Sequence, residues 1–283
     1  MSQSCIITDN AAQFSRINFP DNICLRFIDI KTEYSYAHTK AQKKSINHEF
    51  PKHLSLKQKP IIQIPELDEI REIIENSVKN FDDVYIILHS ANINPVFQTI
   101  TELLEKIRGR AVVHLIDSQS VSIGQGYLVQ SAIEQISANL DGNLIEQNLR
   151  EQIPHVYTLL CAPGLSYLHT AGYLDAGQSI VGEMLSLFPI FSLEDGKFNS
   201  IDKIKNLHNV IEYFLEYIDE FEDLLQVSFL QCTPPSLHES KLVKQYLEEN
   251  YPDTLYTEHP HNNYLASLIG PRGFGMVVIE DIK

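Results

Sequence analysis

Three features of the sequence predict a two-domain α/β chain, with a doubly wound, mostly parallel sheet in residues 1–154 and an α+β unit in residues 155–283. Short apolar runs alternate with helical periodicities through the first half, the order expected of a parallel sheet covered by helices. Three of those runs stop in small polar turns, Asp9-Asn10, His89-Ser90 and Asp117-Ser118. An open α/β sheet collects its ligands beyond such strand ends. After Val156 the pattern changes, and Glu194-Asp195-Gly196 flanked by residues 188–193 and 197–201 marks a hairpin.

In chain order, residues 5–8 read as a first strand and 23–30 as a second. Residues 31–60 lack periodicity and read as an irregular connection. Pro65 opens a helix with Leu67, Ile70, Ile73, Ile74 and Ser77 on one face and acidic residues in its first turn. A strand at 84–88 leads to a helix from Pro95 through Phe97, Ile100, Leu103, Leu104 and Ile107. The chain is organised around residues 112–132. There a buried strand, a turn holding Asp117, Ser118, Ser120 and Ser122, and a helix with Gly124 and Gly126 in its first turns follow one another. A further helix spans 144–152.

The second half opens with a strand at 156–162 and a short helix at 165–170, after which Gly172 and Gly177 punctuate the chain. Beyond the hairpin, Ile204, Leu207, Ile211, Phe214, Leu215, Ile218 and Phe221 share one face of a long amphipathic helix. A strand at 225–231 precedes a helix at 236–250, for which Ser236 and Glu239 are spaced as a capping box. Strands at 254–258 and 276–279 complete the chain.

Composition narrows the partners. The 283 residues are 43% hydrophobic, with 37 acidic against 22 basic side chains and a net charge of −15. Nucleic acid needs a cationic footprint, which this balance opposes, and anionic membranes are disfavoured for the same reason. No apolar run is long enough to insert in a bilayer. Residues 1–10 lack a secretory signal pattern, so a cytoplasmic location is expected. Cys5, Cys24, Cys161 and Cys232 are widely spaced and are expected to be reduced thiols.

Chemistry-bearing motifs are sparse. Ser90 and Ser118 stand at strand ends, but G-x-S-x-G is absent, and Ser at such turns usually caps a helix. His259-Pro260-His261 beside Glu258 resembles a metal pair without a third ligand, and solvated histidines are the expectation. Residues 270–275, G-P-R-G-F-G, fit no phosphate-loop pattern and read as a turn into the last strand. No catalytic residue, metal or cofactor is therefore predicted.

Several ordered blocks together carry a resemblance. I-I-T-D-N-A-A (6–12), I-D-S-Q-S-V-S-I-G-Q-G-Y-L-V (116–129), L-S-Y-L-H-T-A-G-Y-L (165–174), V-G-E-M-L-S-L-F-P-I-F-S-L-E-D-G (181–196) and I-G-P-R-G-F-G (269–275) are similar to blocks of the DegV family. Its members are bacterial fatty-acid-binding proteins that hold a lipid between two domains. The resemblance implies a non-catalytic carrier, with a fatty acid or other long-chain lipid as ligand and a fatty acid kinase as partner.

Departures fall on the head-group positions. Ile61 stands where the family has a head-group Thr, and Asn94 where it has a carboxylate-binding Ser. Gly172-Tyr173-Leu174 lacks the family's Arg, and Leu268-Ile269-Gly270-Pro271-Arg272 lacks its His. The lipid-binding set implied here is Ile61, Ser90, Asn94, Ser118, Tyr173, Leu268 and Arg272. A carboxylate deprived of donors is costly to bury, so a changed head-group preference is expected, which argues against retained coupling to the kinase. The acyl chain still gains about 0.8 kcal/mol per buried methylene, and Met184 is expected to line its tunnel. The alternative is an interaction or regulatory protein whose cleft is filled by Ile61, Tyr173 and Leu268.

Overall fold

A computed structural model describes residues 3–16, 19–20, 23–34, 50–54 and 59–282. β1 (Ser4–Asp9) is apolar and buried on both faces, as the inner strand of a parallel sheet must be. It pairs in parallel with β2 (Cys24–Ile28) on one side. Next along the chain come β3 (Lys31–Tyr34), β4 (Pro60–Gln63) and α1 (Leu67–Asn80). β5 (Asp83–Leu88) then lies on the other side of β1. After α2 (Phe97–Leu104), β6 (Val112–Asp117) completes the order β2-β1-β5-β6. The carboxyl ends at Asp9, Leu88 and Asp117 therefore share one edge, as the polar turns predict.

α3 (Ile123–Ser137) is buried almost all round, unlike the one-sided helix expected of a sheet cover. It touches β1 and β5 on one side and strands of the second sheet on the other, so it is the layer both sheets share. Its first glycines follow from that position. A Cβ on Gly126 would meet the Gln13 carbonyl oxygen at 1.7 Å, and one on Gly124 would meet Val156 at 2.8 Å. α4 (Gly142–Gln152) then leads through a 3₁₀ turn into the second sheet.

β7 (Val156–Cys161), α5 (Leu165–Thr170), α6 (Ala176–Met184), β8 (Phe188–Glu194) and β9 (Lys197–Ile204) follow in order. Next come α7 (Leu207–Ile218), β10 (Leu224–Gln231), α8 (Leu237–Asn250), β11 (Leu255–Pro260), α9 (Asn263–Ile269) and β12 (Phe274–Glu280). The strands form the order β11-β10-β12-β7-β8-β9, with only β10 and β11 parallel. Asp195 and Gly196 both adopt positive φ, and Glu194 faces Lys197, which makes the predicted hairpin a two-residue primed turn. One core is shared by the first sheet, α3, α5, α9 and the inner face of the second sheet. A second core lies under α7 and α8.

Five expectations need correction. Residues 31–60 are not wholly irregular, because β3 and β4 pair antiparallel with Thr32 opposite Ile62; the remaining stretches, 35–49 and 55–58, lie outside the described residues. The helix expected to reach Ile107 ends at Leu104, and the Lys106 and Ile107 N–H groups donate to the Leu103 carbonyl as a last loose turn. The capping box at Ser236 does not form: its hydroxyl lies 3.0 Å from Cys232 Sγ, and its own N–H donates to Gln231 Oε1. The glycine-punctuated stretch after residue 172 contains α6, and the stretch between the strand at 254–258 and the turn at 270–275, given no element, contains α9. Met184 is 80% exposed on α6, so it lines no tunnel.

Candidate functional site

The strand-end turns place a buried polar cluster where the two halves meet. After β1 the chain turns at Asp9, whose Oδ1 accepts the Ala11 N–H at 3.0 Å. Its Oδ2 accepts three donors from the β5 end, the His89 N–H at 3.1 Å, His89 Nδ1 at 2.9 Å and Asn94 Nδ2 at 3.2 Å. Asp9 and His89 are fully buried. Burial pushes the Asp9 carboxyl up, but the His89 ring and these hydrogen bonds outweigh it and hold the group below the usual carboxylate range.

Tyr264 of α9 closes this cluster from the second half. Its ring centroid lies 4.5 Å from that of His89, and its hydroxyl donates to the Ile93 carbonyl. Burial and the Asp9 charge push its phenol well above the ordinary value. Gln125 of α3 donates to Thr8 Oγ1 at 3.0 Å beside Asp9. Four buried polar atoms in or next to elements of this junction lack a hydrogen-bond partner: Thr32 Oγ1, His89 Nε2, Gln125 Oε1 and His261 Nδ1. Native proteins rarely leave such atoms unpaired.

The sequence-predicted residues are distributed unevenly around this cluster. Asn94 belongs to it, with its Oδ1 accepting the Val96 N–H while its amide serves Asp9. Ser90 is adjacent, but its hydroxyl donates across the junction to the Gly196 carbonyl at 2.5 Å. Ser118 is used within its own turn, donating to the Ser120 carbonyl. Leu268 is buried on α9. Tyr173 packs edge-on against Phe198 at 5.0 Å. Ile61 sits on β4 opposite Glu33 and is 37% exposed. Arg272 stands apart, exposed in a cleft of about 730 Å³ together with Lys52, His53, Cys232 and His238.

Asp9, His89, Thr32 and Tyr264 were not singled out by motif. The legible signal for two of them was position alone, since Asp9 and His89 each end a predicted strand. A separate apolar pocket of about 230 Å³ is lined by Leu165, Leu174, Val181, Leu187 and Phe191. His259 Nε2 lies 3.0 Å from Thr257 Oγ1 and His261 Nε2 2.9 Å from the Pro271 carbonyl. Among the described residues no cluster of His, Cys, Asp or Glu is arranged to hold a metal ion. No described helix is long and apolar enough to cross a membrane.

A family model described as "Uncharacterised protein, DegV family" matches residues 6–281. A DegV domain-containing protein of Caldanaerobacter subterraneus subsp. tengcongensis is 28% identical over 153 residues, which span 53% of this chain and 53% of that protein. The fold superposes on that of a fatty acid binding DegV family protein from Streptococcus agalactiae with a TM-score of 0.79 at 16% identity, covering 100% of both chains. The Streptococcus pneumoniae Fatty Acid Kinase (Fak) B3 protein loaded with linoleic acid gives a TM-score of 0.75 at 10% identity, over 99% of this chain and 100% of that one.

Proposed function

This chain belongs to the DegV family, and from that premise we propose that it is a carrier of a fatty acid or related long-chain lipid, bound between its two halves and not chemically altered by them. The halves in this reading are residues 1–154 and 155–283, and the location is cytoplasmic. The observation that carries it is the buried polar cluster of Asp9, His89 and Asn94 at the parallel strand ends, roofed by α9 and continuous with an apolar core shared by both sheets. An amphiphile needs that pairing, a polar end and an apolar body.

Ile61, Ser90, Asn94, Ser118, Tyr173 and Leu268 are the residues assigned to the ligand, with Asn94 nearest the polar end. Arg272 is the least supported member, because it lines the other cleft. The solved relatives described with fatty acids, one of them a fatty acid kinase protein, support the ligand class and make a kinase that phosphorylates the bound acid's carboxyl group a candidate partner. One observation favours the rival reading of a self-filled cleft: Ser90 and Asn94 already spend their polar groups on Gly196 and Asp9.

Organic extraction of the purified protein followed by mass spectrometry tests the reading. A long-chain acid or other lipid near one equivalent is expected. Protein that yields no lipid and binds no fluorescent acyl probe would move the assignment to a non-carrier.

A further inference from the structure

The unpaired atoms of the junction say what kind of head group it takes. His89 is fully buried, and its two ring nitrogens differ in surroundings. Nδ1 lies 2.9 Å from Asp9 Oδ2 and 3.1 Å from Asn94 Nδ2, and the tautomer that donates from Nδ1 to the Asp9 carboxylate turns a lone pair at Nε2 outward from Asp9. Nε2 has no partner. Thr32 Oγ1 is also buried and unpartnered, on β3, which packs against α9, the helix whose Tyr264 covers the His89 ring. A lone-pair nitrogen and a hydroxyl on elements that flank one helix suit a head group that both donates and accepts.

Charge decides between the forms of such a group. Asp9 already contributes one buried negative charge to the cluster. The neighbours facing it are His89 and Asn94 from the β5 end, Gln125 from α3 and Tyr264 from α9, with Tyr173 acting on Tyr264. No lysine or arginine is among these described neighbours, and Lys31, next to Thr32 in the chain, turns outward to Asp29. Asp9 already takes up the His89 and Asn94 donors, so a carboxylate entering alone would place a second negative charge in a buried site without donors of its own. A carboxyl group that brings its proton adds none.

Resting on the carrier reading above, we propose that His89 Nε2 and Thr32 Oγ1 receive the head group of the lipid as a neutral carboxylic acid, so that each fatty acid binds together with one proton. The acid O–H donates to Nε2, and Thr32 donates to the carbonyl oxygen. No bond is made or broken beyond the sharing of that proton, and Asp9 acts as a positioning residue that fixes the ring tautomer.

The test compares a long-chain fatty acid with the alcohol of the same chain length on delipidated full-length protein, between about pH 7 and 8.5. Because the free acid is ionised in that range, its affinity is expected to fall about tenfold per pH unit. The alcohol, which needs no proton, is expected to hold its affinity. Calorimetry of the unaltered protein in two buffers of different ionisation enthalpy should count about one proton taken up per acid bound. This second readout requires no variant to fold. His89→Gln should flatten the acid's pH profile, and Thr32→Val should weaken acid and alcohol alike. Acid binding without proton uptake would overturn the head-group assignment and leave the carrier reading standing. Failure of both ligands to bind the unaltered protein would overturn both.

Discussion

Cys5 and Cys24 face each other in register on β1 and β2, with their sulfurs 2.8 Å apart. Burial, then the hydrogen bond with Cys24, pushes the Cys5 thiol up to about 12. Cys5 is therefore a poor nucleophile at neutral pH, and the half-buried Cys24 is the sulfur that an oxidant reaches first. Peroxide or diamide should join the pair as a disulfide by attack of one sulfur on the oxidised other. Peptide mass mapping of the oxidised chain should find Cys5 linked to Cys24, and Cys24→Ser should abolish the cross-link. Linkage of either sulfur to Cys161 or Cys232 would contradict the pairing. At this scale the sequence is informative about residue type and silent about pairing. The four cysteines are widely separated in the sequence, and nothing in their spacing shows that two of them touch.

Elements were legible where burial and periodicity agree. β1, β5, β6 and α3 are each announced by an apolar run or by helical spacing, and their strand-end turns fall together because parallel strands must point one way. Elements whose stability comes from tertiary contact were not legible. β3 and β4 are four residues each, and β3 carries two charges, so neither shows a period of two without its partner. α6 contains Gly177 and Gly182, which lower helix propensity and mask the Asp175 and Gln178 capping box that marks its start. α9 has seven residues, too few for an amphipathic pattern, and it is the element that brings Tyr264 to His89. The candidate site was thus half visible: its first-half residues lie at predictable strand ends, whereas its roof comes from a helix with almost no local signal. The shared helix α3 yields a test of how tightly that geometry is built. Gly126→Ala would drive a methyl group into the Gln13 carbonyl, a backbone atom with no rotamer to escape through. Overpacking of this kind costs about 1–3 kcal/mol or more, and chemical denaturation should show a loss at the upper end of that range. A loss below about 0.5 kcal/mol would mean that the turn after β1, which holds Gln13, yields freely.

The two sheets are joined by more than a linker. Ser90 donates to the Gly196 carbonyl, Asn92 Nδ2 to the Asp195 carbonyl at 3.2 Å and Gln13 Nε2 to the Pro260 carbonyl at 2.7 Å. Asn262 Nδ2 donates back to the Ala11 carbonyl at 2.6 Å. Most of these bonds use the strand-end turns that frame the candidate site, so the same contacts that close the site also hold the halves together. Beneath them α3 buries one face on each sheet, and Leu160, Leu168, Phe191 and Tyr264 of the second half join the core of the first. Separating the halves would expose that apolar face, which a mobile two-domain clamp with a polar interface would not do. Calorimetry of the full chain is therefore expected to give one transition whose calorimetric and van't Hoff enthalpies agree. A bound lipid should raise its midpoint without splitting it, since a ligand touching both halves stabilises them as one unit. Two resolved transitions, with lipid shifting only one, would show that the halves fold independently and that the ligand belongs to a single half.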